Sequence, residues 1–123
     1  MSINFTDIYD TIRIKQGKVK ITAMTAFGKE GDHYVIVAPS ILVSGYGSTT
    51  EEAEASFLEG MNLFCEDLMK LTSEQRDAEL KKMGFERNRF QRKNFSKAYI
   101  DENGVLRDLE IERVTKGNFE AAV

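Results

Sequence analysis

Gly31-Asp32-His33-Tyr34-Val35-Ile36-Val37-Ala38-Pro39-Ser40-Ile41-Leu42-Val43-Ser44-Gly45-Tyr46-Gly47-Ser48-Thr49-Thr50-Glu51-Glu52-Ala53 carries the signals that decide the fold. From His33 to Ala38 the run is apolar on both parities, as a strand flanked on each side must be. Pro39-Ser40 breaks it. Ile41 to Ser44 resumes extended structure, and Gly45-Tyr46-Gly47 ends the second strand. Thr49-Thr50-Glu51-Glu52 then reads as a capping box. The Thr49 hydroxyl accepts from the N–H of Glu52, the Glu52 carboxylate reaches back, and the acids favour the positive end of the helix dipole.

Downstream, Ala53, Phe57, Met61, Phe64, Leu68 and Leu71 recur at helical spacing, which predicts a helix over 50–71 with one broad apolar face toward the sheet. Leu58, Cys65 and Met69 form a second stripe that needs its own cover. Leu71-Thr72-Ser73-Glu74 stops this helix and caps another, which runs through Ala78, Leu80 and Met83 and ends at Gly84. A basic segment from Phe85 to Asn94 follows.

Upstream, Ile12 and Ile14 alternate with Arg13 and Lys15, and Val19 and Ile21 with Lys18 and Lys20, around Gln16-Gly17. This predicts a two-residue hairpin with Ile14 facing Val19 and Ile12 facing Ile21. Its other face stacks Arg13 on Lys20 and Lys15 on Lys18, which is unfavourable unless an anion or an acidic neighbour sits there. The alternation continues through Ala23, Thr25 and Phe27, and residues 28–32 read as a turn. Near the C-terminus, Asn103-Gly104 signals a second hairpin. It places Ala98, Ile100, Val105, Leu109 and Ile111 on one face, interrupted by Arg107, and pairs Lys97 with Glu110. Residues 116–123 read as a frayed or docked tail. The fold class is α+β: an antiparallel meander with a packed helix, plus an N-terminal and a C-terminal β-hairpin.

The chain has 123 residues, a formal net charge of −3, one cysteine and one histidine. That length fits one domain, 1–123. No apolar run is long enough to span a membrane, and no secretory leader is legible, which points to the cytoplasm. One cysteine excludes an internal disulfide and a cysteine-based zinc site. The charge is uneven. Acids crowd residues 50–79, and bases crowd Arg13 to Lys20 and Lys81 to Lys97, an asymmetry that marks interaction surfaces.

The order and spacing of Tyr34, Val35, Pro39, Gly47, Thr49, Glu51, Glu52 and Ala53 resemble the core of the HicB-like antitoxin family. The resemblance covers about residues 18–70, with the strand over 18–27 where the family's first strand stands. It implies a partial ribonuclease H-like fold without catalysis, a HicA-like ribonuclease toxin as partner, and a homodimer. By sequence alone, uncovered Leu58, Cys65 and Met69 and open sheet edges also favour a homodimer.

No catalytic set emerges. The strand over 18–27 contains no acid, so the clustered carboxylates of a two-metal nuclease are missing. His33 reads as a structural histidine at a strand start, and Cys65 as a small buried hydrophobe. No metal-ligand spacing or phosphate-binding loop occurs, and no cofactor is expected. Acids beside Gly45-Tyr46-Gly47 would repel an anion at that helix start. The competing function is RNA binding by segment 81–97, where Phe85, Phe90 and Phe95 interleave with the candidate contacts Arg87, Arg89, Arg92 and Lys93. The plainer reading has those phenylalanines covering the helix while the arginines reach solvent.

Overall fold

The computed structural model describes residues 9–87, 94–98 and 110–122. It opens with the first hairpin, β1 (Tyr9–Lys15) against β2 (Lys18–Glu30), in the register expected: Ile12 opposite Ile21 and Ile14 opposite Val19. Gln16 and Gly17 both take positive φ, 51° and 75°, the twist that a tight hairpin turn requires. The four apolar residues are buried.

β2 continues to Glu30, and the turn to β3 (His33–Ala38) shrinks to Gly31-Asp32. The five-residue turn expected over 28–32 is therefore corrected. Gly28, Lys29 and Glu30 pair with Val35, Tyr34 and His33, because alternation carries the ladder on past residues that look turn-like singly. Pro39 to Leu42 form the next turn, and β4 is Val43–Gly47, not extended structure from Ile41. Ile41 is buried in that turn. Leu42 is 78% exposed and has φ 57°, a backbone conformation that L side chains rarely adopt.

α1 (Thr50–Lys70) crosses β4 at very short range. A Cβ on Gly45 would stand 2.3 Å from the Phe57 backbone nitrogen, and one on Gly47 2.6 Å from that of Ala53. β4 can thus seat the helix only because those positions lack side chains. The Tyr46 N–H donates to Ser56 Oγ at 3.3 Å, so α1 also serves the outer edge of β4. Ala53, Phe57, Met61, Cys65 and Leu68 are the buried residues of α1. The expected stripe is corrected in one respect: Phe64 is half-buried on the flank and Cys65 lies in the core. Burying a side chain such as Phe57 or Met61 contributes about 1.5–3 kcal/mol each.

α2 (Ser73–Lys82) starts on a reciprocal box in which the Gln75 N–H donates to Thr72 Oγ1 and the Thr72 N–H to Gln75 Oε1. Arg76 donates to the Leu68 and Leu71 carbonyls, filling acceptors left at the end of α1. Leu80 and Phe85 join the same core as Ile12, Ile21 and Phe57.

The remaining strands are β5 (Glu86–Arg87), β6 (Asn94–Ala98) and β7 (Glu110–Ala122). β6 pairs with β1 and β5, whereas β7 pairs with β2 from Lys18 to Lys29. The C-terminal hairpin is thereby corrected at the described residues: Lys97 stands opposite Asp10, and Glu110 opposite Lys29. Asn103-Gly104, Ile100, Val105, Arg107 and Leu109 lie outside the described residues. The expected tail from 116 is strand through Ala122, with Phe119 packed on Phe57 at 5.5 Å.

These registers force the sheet to fork. Thr22 has partners in both β1 and β7, and Ala26 in both β3 and β7. A strand has two edges, so β1 and β3 share the edge opposite β7. Alternate residues direct their backbone groups to one edge. Residues 18–22 serve β1, residues 26–30 serve β3, and Met24 falls between. Its N–H donates to Oδ1 of buried Asp10 at 2.9 Å. The described architecture is an α+β fold: a four-strand antiparallel meander packed against a helix, with a C-terminal strand on β2.

Candidate functional site

Two surfaces of opposite charge stand on opposite sides of the sheet. The first is the outward face of α1. Its start is fixed by Thr49 Oγ1, which accepts the Glu52 N–H at 3.1 Å. The Glu52 carboxylate reaches one residue further back than the usual box, taking the Ser48 hydroxyl at 2.7 Å and the Ser48 N–H at 2.9 Å. These bonds, the hydroxyl first, hold the Glu52 carboxyl below its ordinary pKa of 4.5, with a smaller pull from His33. From there Glu51, Glu52, Glu54, Glu59, Glu66 and Asp67 are exposed along α1. Leu58 and Leu63 stand among them, each 52% exposed. Glu59, Leu63 and Glu66 share one stripe by helical spacing.

Leu58 also lines, with Glu54, Phe57 and Phe119, an apolar cavity of about 290 Å3 between α1, β2 and β7. The hydroxyls of Thr25 and Thr115 meet there at 3.0 Å. Of the three residues expected to need cover, Cys65 is buried, Met69 is half-buried against the core, and only Leu58 is exposed. Burial pushes the Cys65 thiol from 9.0 up to about 11, which keeps it protonated and a poor nucleophile.

The second surface is the solvent face of the first hairpin, where Arg13, Lys15, Lys18 and Lys20 stand exposed. The acidic neighbour that sequence reading required comes from β7. Glu120 lies 3.7 Å from Lys18 and 4.0 Å from Lys20. No local pattern could have located it, because Glu120 reaches the hairpin only through the long-range pairing of β7.

Of the residues singled out for RNA contact, Arg87 lies in β5 opposite Phe95. Its side chain, and the whole of Arg89, Arg92 and Lys93, lie outside the described residues, as does Phe90. Phe85, from the same segment, is buried beside Leu80. His33 is exposed at the start of β3. Among the described residues, no three His, Cys, Asp or Glu side chains are grouped so as to hold a metal ion. Among them too, no helix is long and apolar enough to cross a membrane.

No family model, curated protein or solved structure matches the chain. Its own surfaces therefore carry the functional argument. The acidic face can receive a cationic partner, its leucines supplying apolar anchors between the charges. The hairpin face can receive an anion.

Proposed function

We propose that the chain is a non-enzymatic, cytoplasmic protein-interaction module of the HicB-like antitoxin type, which binds and blocks a small basic ribonuclease through the outward face of α1. The observation that carries this reading is the exposed carboxylates of α1 interrupted by Leu58 and Leu63. Charge complementarity speeds encounter with a basic protein, and buried leucines slow its release. The order of β2, β3, β4 and α1, with β4 seating the helix on Gly45 and Gly47, supports the resemblance in the stretch from Gly31 to Ala53. At the outer edge of β4 the Tyr46 N–H is already taken by Ser56 of α1.

The test is calorimetric titration of the full chain with a small basic HicA-like ribonuclease, alongside an assay of that protein's RNA cleavage. A stoichiometric complex and suppressed cleavage are expected. Reversing two charges with Glu59→Lys and Glu66→Lys is expected to weaken the complex by about tenfold or more. The reading fails if no complex forms, or if the double variant binds and inhibits as the parent does.

A further inference from the structure

Among the described residues, the hairpin's solvent face carries four exposed cations, Arg13, Lys15, Lys18 and Lys20. Arg13 stands opposite Lys20 and Lys15 opposite Lys18, two like-charge pairs that oppose the strand pairing they decorate. Along each strand the cations are about 7 Å apart, and across the pair about 5 Å, so the four form a compact grid. They line a cleft of about 390 Å3. A second groove of about 380 Å3 adjoins it, sharing Arg13 and Lys20 and adding the neutral polar groups of Thr11, Thr22 and Asn118, with Glu120 also on its wall.

Among the described residues, one carboxylate answers the grid. Glu120 reaches Lys18 and Lys20 at 3.7 and 4.0 Å, with all three side chains about half exposed or more, at 49–61%. Pairs that long and that wet hold their partners weakly. Among the described residues, no carboxylate lies within ion-pair distance of Arg13 or Lys15.

The geometry selects the anion. The repeat along each strand is close to the separation of successive phosphates in an extended nucleic-acid strand. Hydroxyl and amide groups beside the cations are the usual neutral partners of phosphate and sugar oxygens. An extended acidic peptide fits less well. Such peptides anchor by adding to a free sheet edge. Here β1 is flanked by β2 and, as far as Arg13, by β6, and β2 by β1 and β7, so along their paired lengths neither strand of the grid offers a free edge, and the nearest one is the far side of β7. A duplex is read by an element that enters a groove. A broad sheet face cannot enter one, but a single strand can lie along it.

We propose that the Arg13–Lys15–Lys18–Lys20 face binds the phosphodiester backbone of single-stranded nucleic acid, independently of base sequence. It lies across the sheet from α1 and differs from the basic segment 81–97, so it stands apart from partner binding.

Fluorescence anisotropy of the full chain tests this, with labelled oligouridylate, a mixed-sequence DNA single strand, a DNA duplex and polyglutamate of matched charge. The two single strands are expected to bind alike at low salt. Four neutralised phosphates predict a slope of log affinity on log salt of about −3. Arg13→Gln with Lys15→Gln is expected to cut affinity at least tenfold and to flatten that slope by about 1.4. Glu120→Gln, which removes the competing carboxylate, is expected to tighten binding several-fold, an effect that a merely structural ion pair would not give. Circular dichroism checks each fold, and single Lys15→Gln serves if the double variant does not fold. Four results would each overturn the proposal: no binding at low salt, undiminished binding by the folded variants, polyglutamate binding as tightly as the oligonucleotides, or tighter binding of the duplex.

Discussion

Asp10 shows how much of this fold depends on one buried carboxylate. It sits where β1 leaves β2 and β3 takes over, and its Oδ1 accepts the Met24 N–H at 2.9 Å. Asp10→Ala leaves that donor without its acceptor in a buried site, at a cost of about 1–3 kcal/mol. Asp10→Asn keeps an acceptor oxygen and is expected to lose less. Urea denaturation of both variants measures the difference, and equal losses would move the role of Asp10 away from this bond. Cys65 gives a pH-dependent case. Its folded-state pKa, about 11, lies above the ordinary 9.0 because burial disfavours the thiolate. The stability this protects is intact below pH 9. It is lost as pH rises from 9 toward about 11, where the unfolded chain releases the proton and the folded chain retains it. Denaturation free energies of the parent are therefore expected to fall across that interval relative to Cys65→Ala. Parallel profiles would contradict the assignment. Sequence periodicity placed Cys65 on a second stripe because it averages over 3.6 residues. The actual contact from Ala53 through Phe57 and Met61 to Cys65 follows an i+4 row, which runs oblique to the helix axis and displaces Phe64 to the flank.

Among the elements, the seating of α1 on β4 is the closest approach. Gly45→Ala would drive a Cβ to 2.3 Å from the Phe57 nitrogen and 2.8 Å from the Ala53 carbonyl oxygen, both backbone atoms that cannot rotate aside. The helix must lift, and destabilisation near the upper end of the overpacking range, about 3 kcal/mol, is expected. Gly31→Ala is the control, since nothing lies within 4 Å of the added carbon, although its φ of 62° adds backbone strain. Thermal melts of the pair decide it, and a smaller shift for Gly45→Ala than for Gly31→Ala would refute the close-seating account. The same elements show what sequence can reveal. The first hairpin was legible to the residue, because two alternating runs meet at a turn whose chemistry fixes register locally. The Thr49 cap, and a second cap within Leu71-Thr72-Ser73-Glu74 that proves to be Thr72, were legible for the same reason. The pairing of Lys97 with Glu110 expected across the second hairpin is not formed, because Asn103-Gly104, which lies outside the described residues, is only a local signal. The strands on either side, β6 and β7, are paired with β1 and β2, which stand far away in sequence. A pleated, alternating segment states which face is apolar but not which strand it joins.

At the scale of the molecule, β7 sets the charge layout and presents the edge through which copies are expected to associate. Its pairing along β2 brings Glu120 to the lysines and Phe119 to Phe57, so the basic face and the core are completed by residues far away along the chain. The acidic face was legible from composition, and so were the four hairpin cations. The carboxylate that tempers them was not. Because Met24 sends its N–H to Asp10, the odd residues of β2 serve β7, and their partners in β7 are Thr115, Gly117, Phe119 and Ala121. The backbone groups of Lys116, Asn118 and Glu120 then face the other way, along an edge that joins no strand among the described residues. A 13-residue strand with such an edge is a template for pairing with a second copy. A symmetric homodimer, the commonest soluble assembly, satisfies it with β7 antiparallel to β7. Sedimentation equilibrium at micromolar concentration is expected to return the dimer mass. Asn118→Pro removes an outward N–H, gives up only the exposed bond from the Thr22 hydroxyl, and is tolerated in an edge strand. It is expected to yield a folded monomer. A parent monomer across the concentration range, or a variant that remains dimeric, would exclude β7 as the contact between copies.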